Sequence, residues 1–191
     1  VEYARYADDL VVLVDDRCRR RKLLEAVEKR LREELAELQV EISEEKSRTV
    51  DLRRGESFGF LSFEYRRVRS LRGVWRPNCA PQTRKRTVLL ERLRDIFRRF
   101  RSQPLSRVIA CINPILRGWV NYFAIGNAGR CFSYIRRWVE KKARRHLMRA
   151  RKRRGFGWKQ WRSDWLYRGF KLFQEYRVRR YEPSQQLLPA Y

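Results

Sequence analysis

The stretch Leu105-Ser106-Arg107-Val108-Ile109-Ala110-Cys111-Ile112-Asn113-Pro114-Ile115-Leu116-Arg117-Gly118-Trp119-Val120-Asn121-Tyr122-Phe123 decides how the second half of the chain folds. Ile109, Ile112, Leu116, Trp119 and Phe123 recur at three and four residues, which places them on one side of a helix and marks them as core. Pro104 stands where a helix can start. The polar neighbours Arg117 and Asn121 fall off the apolar side and are left to meet a partner.

Working outward, the same spacing recurs on both sides. Arg84 to Phe100 carries Val88, Leu89, Leu93, Ile96, Phe97 and Phe100 on one face, and Gly129 to Arg154 reads as a third helix, separated from the second by Gly126 and Asn127. Gly73, Pro77, Asn78 and Pro81 crowd the region before them and mark 73–83 as a linker. Residues 155–191 are less regular, with a Trp-rich start at Gly157-Trp158-Lys159-Gln160-Trp161. The three- and four-residue spacing of Trp158, Trp161 and Trp165 favours a packed helix over base stacking.

Residues 1–72 have a different texture. Val1 to Tyr6 and the continuous apolar run Leu10 to Val14 read as a hairpin turning at Ala7-Asp8-Asp9, its second strand buried. From Arg17 to Leu38 the residues Leu23, Leu24, Val27, Leu31, Leu35 and Leu38 predict an amphipathic helix packed on a sheet. Strand-like stretches follow at 39–43, 49–52 and 58–69, the last folding on itself. The fold class is therefore α+β, a mixed part followed by a basic all-α part.

Charge divides along the same line. Of 47 Lys and Arg and 22 Asp and Glu, residues 1–60 hold 13 and 15, whereas residues 61–191 hold 34 and 7, so the net charge of +25 belongs to the second part. All 6 Trp lie there too. One-signed charge interleaved with aromatics suits phosphates and bases. Arg144, Arg145, Arg149, Arg151, Lys152, Arg153 and Arg154 are the densest run and the preferred RNA contacts. A single His, His146, excludes His-based triads and multi-histidine metal sites. Cys18, Cys79, Cys111 and Cys131 form no CxxC pair, which fits reduced thiols in a cytoplasmic setting. No apolar run approaches the roughly 20 residues of a membrane span. The chain begins at Val1 and its 1 Met is Met148, so it is expected to be a C-terminal piece of a longer protein.

Adjacent acids at a hairpin tip repel one another and gain most from a divalent cation. Between two strands, Asp8 and Asp9 could serve Mg²⁺-dependent phosphoryl transfer. Here the chain resembles a family. Arg5-Tyr6-Ala7-Asp8-Asp9 looks like the acid motif of bacterial group II intron reverse transcriptase/maturases. Ser43-Glu44-Glu45-Lys46-Ser47-Arg48-Thr49 is similar to the segment bearing a lysine near the incoming nucleotide, and Phe58-Gly59-Phe60-Leu61-Ser62-Phe63 to the primer grip. Ile112 to Phe123 resembles the maturase-specific thumb motif, and Arg154 through Val178 the ending of intron proteins without an endonuclease domain.

The resemblance implies a partial reverse-transcriptase palm over 1–72, a thumb/maturase domain over 84–154 and a basic extension over 155–191. It implies that Asp8 and Asp9 ligate catalytic Mg²⁺, that Tyr6 and Ala7 lie against primer end and nucleotide, and that Lys46 acts near the leaving pyrophosphate. Phe60, Leu61, Ser62 and Phe63 would position the primer. The implied partners are intron RNA, an RNA template with DNA primer, and dNTP in the intact protein, with no membrane. Ser62 stands where the family often has Gly, so close backbone approach there is expected to change. A further Asp and the fingers, expected upstream, are not in this chain. Three functions compete: part of an RNA-directed DNA polymerase, a non-catalytic maturase-type splicing cofactor, and a generic basic RNA-associated protein in which Asp8 and Asp9 are only a turn.

Overall fold

A computed structural model describes residues 1–15 and 21–179. The chain opens with β1 (Glu2–Tyr6) and β2 (Asp9–Leu13), antiparallel, with Tyr6 opposite Asp9 and a two-residue turn of Ala7 and Asp8. The turn requires φ of 51° at Ala7, a left-handed conformation that costs an L-residue roughly 1–2 kcal/mol. The second strand is not the buried strand its apolar run suggested. Every residue of β1 is exposed, and Val11 and Val12 of β2 are half-buried. Among the described residues β2 pairs with β1 alone, in a two-stranded sheet.

Helix α1 (Arg21–Glu37) has the expected period, and Leu23, Val27, Leu31 and Leu35 form its stripe. They are half-buried, so among the described residues no sheet fully covers this stripe. The opposite side is solvated, with Arg32 Nη2 donating to Glu28 at 3.2 Å. The helix closes where Gln39 turns left-handed at φ 56°, letting Val40 N–H reach the Leu35 carbonyl at 2.9 Å. The expected strands at 39–43 and 49–52 do not form. Gln39 and Val40 turn their N–H groups back onto the end of α1, and the Asp51 N–H is taken by the Glu56 carboxylate at 2.7 Å, so these backbone groups are satisfied without a ladder.

The second sheet is an antiparallel meander of β3 (Ser57–Phe60), β4 (Phe63–Arg69) and β5 (Trp75–Pro81), in that order. Strand β5 occupies most of the stretch 73–83 that the sequence marks as a linker. Its Pro77 and Pro81 cannot donate to a ladder, but β5 is an edge strand and tolerates them. The outer side of this edge is closed by the turn before the last long helix. Asn127 N–H donates to the Cys79 carbonyl at 2.6 Å and Asn127 Oδ1 accepts from Cys79 N–H at 3.1 Å. Gly126, at φ 67°, makes this approach possible, since a Cβ there would lie 2.6 Å from the Cys79 carbonyl oxygen.

Four more helices follow among the described residues: α2 (Thr83–Arg99), α3 (Leu105–Tyr122), α4 (Gly129–Ala150) and α5 (Ser163–Phe170). Their apolar stripes meet in one core. Leu93 and Phe97 come from α2; Val108, Ile112 and Leu116 from α3; Phe132, Ile135 and Val139 from α4; and Leu166 from α5. Each such side chain contributes roughly 1.5–3 kcal/mol on burial, so the helical part holds the apolar driving force of the fold. Val88, assigned to the α2 core face from its spacing, is exposed, and Leu90 is buried instead. The architecture is α+β, as expected. Among the described residues no helix is long and apolar enough to cross a membrane.

Candidate nucleic-acid interface

Helices α2 and α4, with the turn after α2, bring six cations around one cleft of about 400 Å³, lined by Arg94, Arg98, Arg101, Lys142, Arg145 and Arg149 over Phe97 and His146. Arg94 and Arg98 lie one turn apart near the end of α2, Arg101 follows in the turn after it, and Lys142, Arg145 and Arg149 lie along one side of α4. His146 fixes the floor, one ring nitrogen lying 2.8 Å from the Gln103 carbonyl in the loop between α2 and α3. Among the described residues no carboxylate lines the cleft. Asp95 approaches Arg98 at 3.8 Å, but that pair is exposed and weak.

The cations strain one another. Burial, followed by the fields of Arg94, Arg145, Arg149 and Arg98, holds the Lys142 ammonium below its ordinary value. Burial together with Arg145 and Arg101 does the same to Arg149. Such a concentration of one sign is relieved by a polyanion, and a phosphate backbone supplies charges at the required density.

The residues expected from the sequence fall into four places. Arg145 and Arg149 line the cleft. Arg151, Lys152, Arg153 and Arg154 are exposed just beyond α4, where Lys152 at φ 55° ends the helix. Arg117 and Asn121 lie on the solvent side of α3, on a low-relief face with Ala110, Pro114 and Gly118. Arg144 is a correction: it keeps 2% of its exposure and points into the protein. Its guanidinium donates to Glu140 at 3.0 Å, to the Trp161 carbonyl at 2.7 Å and to Ser163 Oγ at 2.8 Å. It is a buried tie between α4 and the segment leading into α5.

The hairpin expected to grip a primer is bound to the helical part. Leu61 and Ser62 form its turn, both left-handed at φ 48° and 70°. The Leu61 carbonyl accepts from the Tyr122 hydroxyl at 3.0 Å, and the Ser62 carbonyl from Gln82 N–H at 3.1 Å. Phe60 and Leu61 are half-buried, while Phe63 is buried against Phe123, ring centroids 5.1 Å apart. Phe63 is thus a core residue where this hairpin meets the helical part.

Tyr6, Ala7, Asp8 and Asp9 are exposed at the tip of the first hairpin, and Lys46 is exposed on the separate turn 44–46. Among the described residues no three His, Cys, Asp or Glu side chains gather as metal ligands. Asp8 and Asp9 supply hard oxygen donors of the kind Mg²⁺ takes, yet two exposed carboxylates do not make a two-metal centre.

Sequence reasoning missed Asn113. Its amide donates to the Lys171 carbonyl at 2.8 Å and its Oδ1 accepts from Phe173 N–H at 2.9 Å, which pins the segment after α5 onto α3. It also missed Glu140, although a signal was present: Glu140 is the only acid between Asp95 and Asp164. Cys79, Cys111 and Cys131 are free thiols, and Cys18 lies outside the described residues.

Residues 86–165 match the family model of the group II intron maturase-specific domain. The matched stretch carries 22 Lys and Arg against 4 Asp and Glu and contains the whole cleft. Over this stretch the chain is similar to the maturase part of group II intron proteins, and the role that goes with that part is in intron splicing. No curated protein matches the chain.

Proposed function

We propose that the chain holds folded group II intron RNA as a maturase, with the cleft between α2 and α4 seating the phosphate backbone. The observation that carries this reading is the convergence of six cations, without a lining carboxylate, inside the stretch similar to a maturase domain. Arg151 to Arg154 extend the basic surface beyond α4, and Arg117 and Asn121 offer a second contact on α3. The face around Pro114 adds an acceptor: proline lacks the N–H that would bond the Ala110 carbonyl, and both residues are exposed.

The test is RNA affinity as a function of salt. Each backbone cation removed lowers the slope of log affinity against log salt by roughly 0.7–0.9. Arg98→Gln with Arg149→Gln is expected to lower it by about twice that, and to weaken the stimulation of intron splicing in parallel. Unchanged slope and affinity in the double variant would overturn the assignment of the cleft.

A second reading is favoured by the paired carboxylates of Asp8 and Asp9 at a two-residue hairpin turn: membership of an RNA-directed DNA polymerase that copies intron RNA. It rests on the resemblance of Tyr6-Ala7-Asp8-Asp9 to the reverse-transcriptase motif. On this reading Lys46 serves the nucleotide, and template, primer and dNTP are further partners. The centre is then completed by acids from outside this chain's described residues.

A further inference from the structure

Two exposed aromatic rings stand beside the cleft, and the fold presents them deliberately. Trp158 and Phe156 retain 51% and 38% of their exposure although both rest on charged groups of α4. The Trp158 ring lies 4.3 Å from the Arg144 guanidinium, which is itself held by Glu140, Ser163 and the Trp161 carbonyl. One face of the indole is thus seated on a fixed cation. Phe156 lies 4.5 Å from the Lys141 ammonium and 5.8 Å from the Arg145 guanidinium.

The loop carrying the rings is anchored between them. Gly157, at φ 69°, is wedged so closely that a Cβ would lie 2.8 Å from Trp161 and 2.9 Å from Met148. Nothing larger fits, and its two neighbours are left at the surface. Arg145 is shared, since it reaches Phe156 and also lines the cleft. Around α4 the order is Arg144, Lys141, Arg145, then Arg149 and Lys142, so the rings and the cleft are adjoining sectors of one helix.

We propose that Trp158 and Phe156 form a stacking platform for an unpaired RNA base, next to the cleft that holds the flanking phosphates. This rests on the RNA-binding reading above and adds the kind of RNA: a helix interrupted by a bulge or ending in a loop, not a continuous duplex. Bases within a duplex are already stacked and cannot reach a protein ring, whereas an unpaired base gains a partner. The ring is preset, so no side chain must be ordered when the base arrives.

The experiment uses the full chain and two RNA hairpins of equal length and charge, one fully paired and one carrying a single bulged 2-aminopurine. Stacking by one base changes affinity on the order of tenfold. The bulged probe is expected to bind about that much more tightly, with quenching of its fluorescence. Trp158→Ala and Phe156→Ala each reduce the preference and the quenching while leaving the affinity for the paired hairpin within about twofold; Trp158→Phe retains both. Equal affinity of the unsubstituted chain for the two probes, or equal weakening of both by Trp158→Ala, overturns the platform and leaves RNA binding standing. Failure of the unsubstituted chain to bind either probe overturns the RNA-binding reading as well.

Discussion

Arg144 donates from Nη1 to Glu140 Oε2 at 3.0 Å, one turn away on α4, and the two side chains are buried together. Glu140 also accepts from Ser163 Oγ at 3.0 Å and from the Tyr167 hydroxyl at 2.6 Å. The carboxylate is therefore the hub through which α4 holds α5. Removing one partner of a buried ion pair leaves the other charge uncompensated and costs about 3–5 kcal/mol. Glu140→Ala is expected to lower stability by that amount in denaturant unfolding, more than any single exposed cation of the basic run.

The same group sets a pH dependence. Burial alone would raise the Glu140 carboxyl, but hydrogen bonds from Tyr167, Arg144 and Ser163 outweigh it and hold the group below its ordinary value. A carboxyl depressed in the folded state stabilises fully above its unfolded value, near 4.5, and that contribution is lost as pH falls through the folded value. Thermal unfolding followed below about pH 4.5 should show the loss, and Glu140→Gln should flatten it. An unchanged acid limb in the Gln variant would show that other carboxylates govern it.

Arg144 and Arg149 separate two roles that look alike in sequence. Both belong to the basic run of α4, yet Arg144 is buried and triply bonded while Arg149 faces the cleft. Arg149→Gln is expected to leave stability within about 0.5 kcal/mol and to weaken RNA binding. Arg144→Gln is expected to act in the opposite proportion, with the larger effect in the melting transition. Identical behaviour of the two variants in both measurements would contradict the structural distinction.

The contrast also shows which parts of the molecule a sequence can reveal. Core positions of α2 and α3 follow a period that local geometry enforces, so Leu93 and Ile112 are readable from spacing alone. Strand β5 was hidden because Pro77 and Pro81 argue against a ladder, and whether a strand lies at an edge depends on neighbours far along the chain. Leu10 to Val14 erred in the other direction: β-branched residues favour a strand, but whether it is covered depends on another surface. Of the six cations of the cleft two were visible, Arg145 and Arg149, while Lys142 beside them was not singled out. The other wall, Arg94, Arg98 and Arg101, could not be assigned until α2 and α4 were set side by side.

Asn113 supplies a test of how the segment after α5 is held. Its amide and carbonyl bond Lys171 and Phe173 as a neighbouring strand would. Asn113→Leu keeps the size and loses both bonds, at a cost of about 1–3 kcal/mol if the freed backbone groups stay buried. Faster amide exchange at Phe173 and earlier proteolysis around 171–173 are expected, with little change at the cleft. Protection of Phe173 unchanged by the substitution would mean that Leu172 and Phe173 packing alone secures the segment.

Asp8 and Asp9 yield the last prediction, which concerns chemistry. In-line phosphoryl transfer with two metals requires several carboxylates held rigidly around both ions. Here the described residues offer two acids at an exposed turn, with no third ligand gathered beside them. Template-directed primer extension by this chain alone, with Mg²⁺ and dNTP, is therefore expected to be negligible, while its RNA affinity is unaffected by Asp8→Ala. Added to an extending polymerase complex that contains the chain, the same substitution should abolish extension if Asp8 ligates a catalytic ion, because each missing ligand shifts both the charge and the geometry of the site. Extension by the isolated chain that depends on Mg²⁺ and disappears in Asp8→Ala would show that the hairpin tip assembles a complete centre, and would overturn the division of labour drawn between the tip and the cleft.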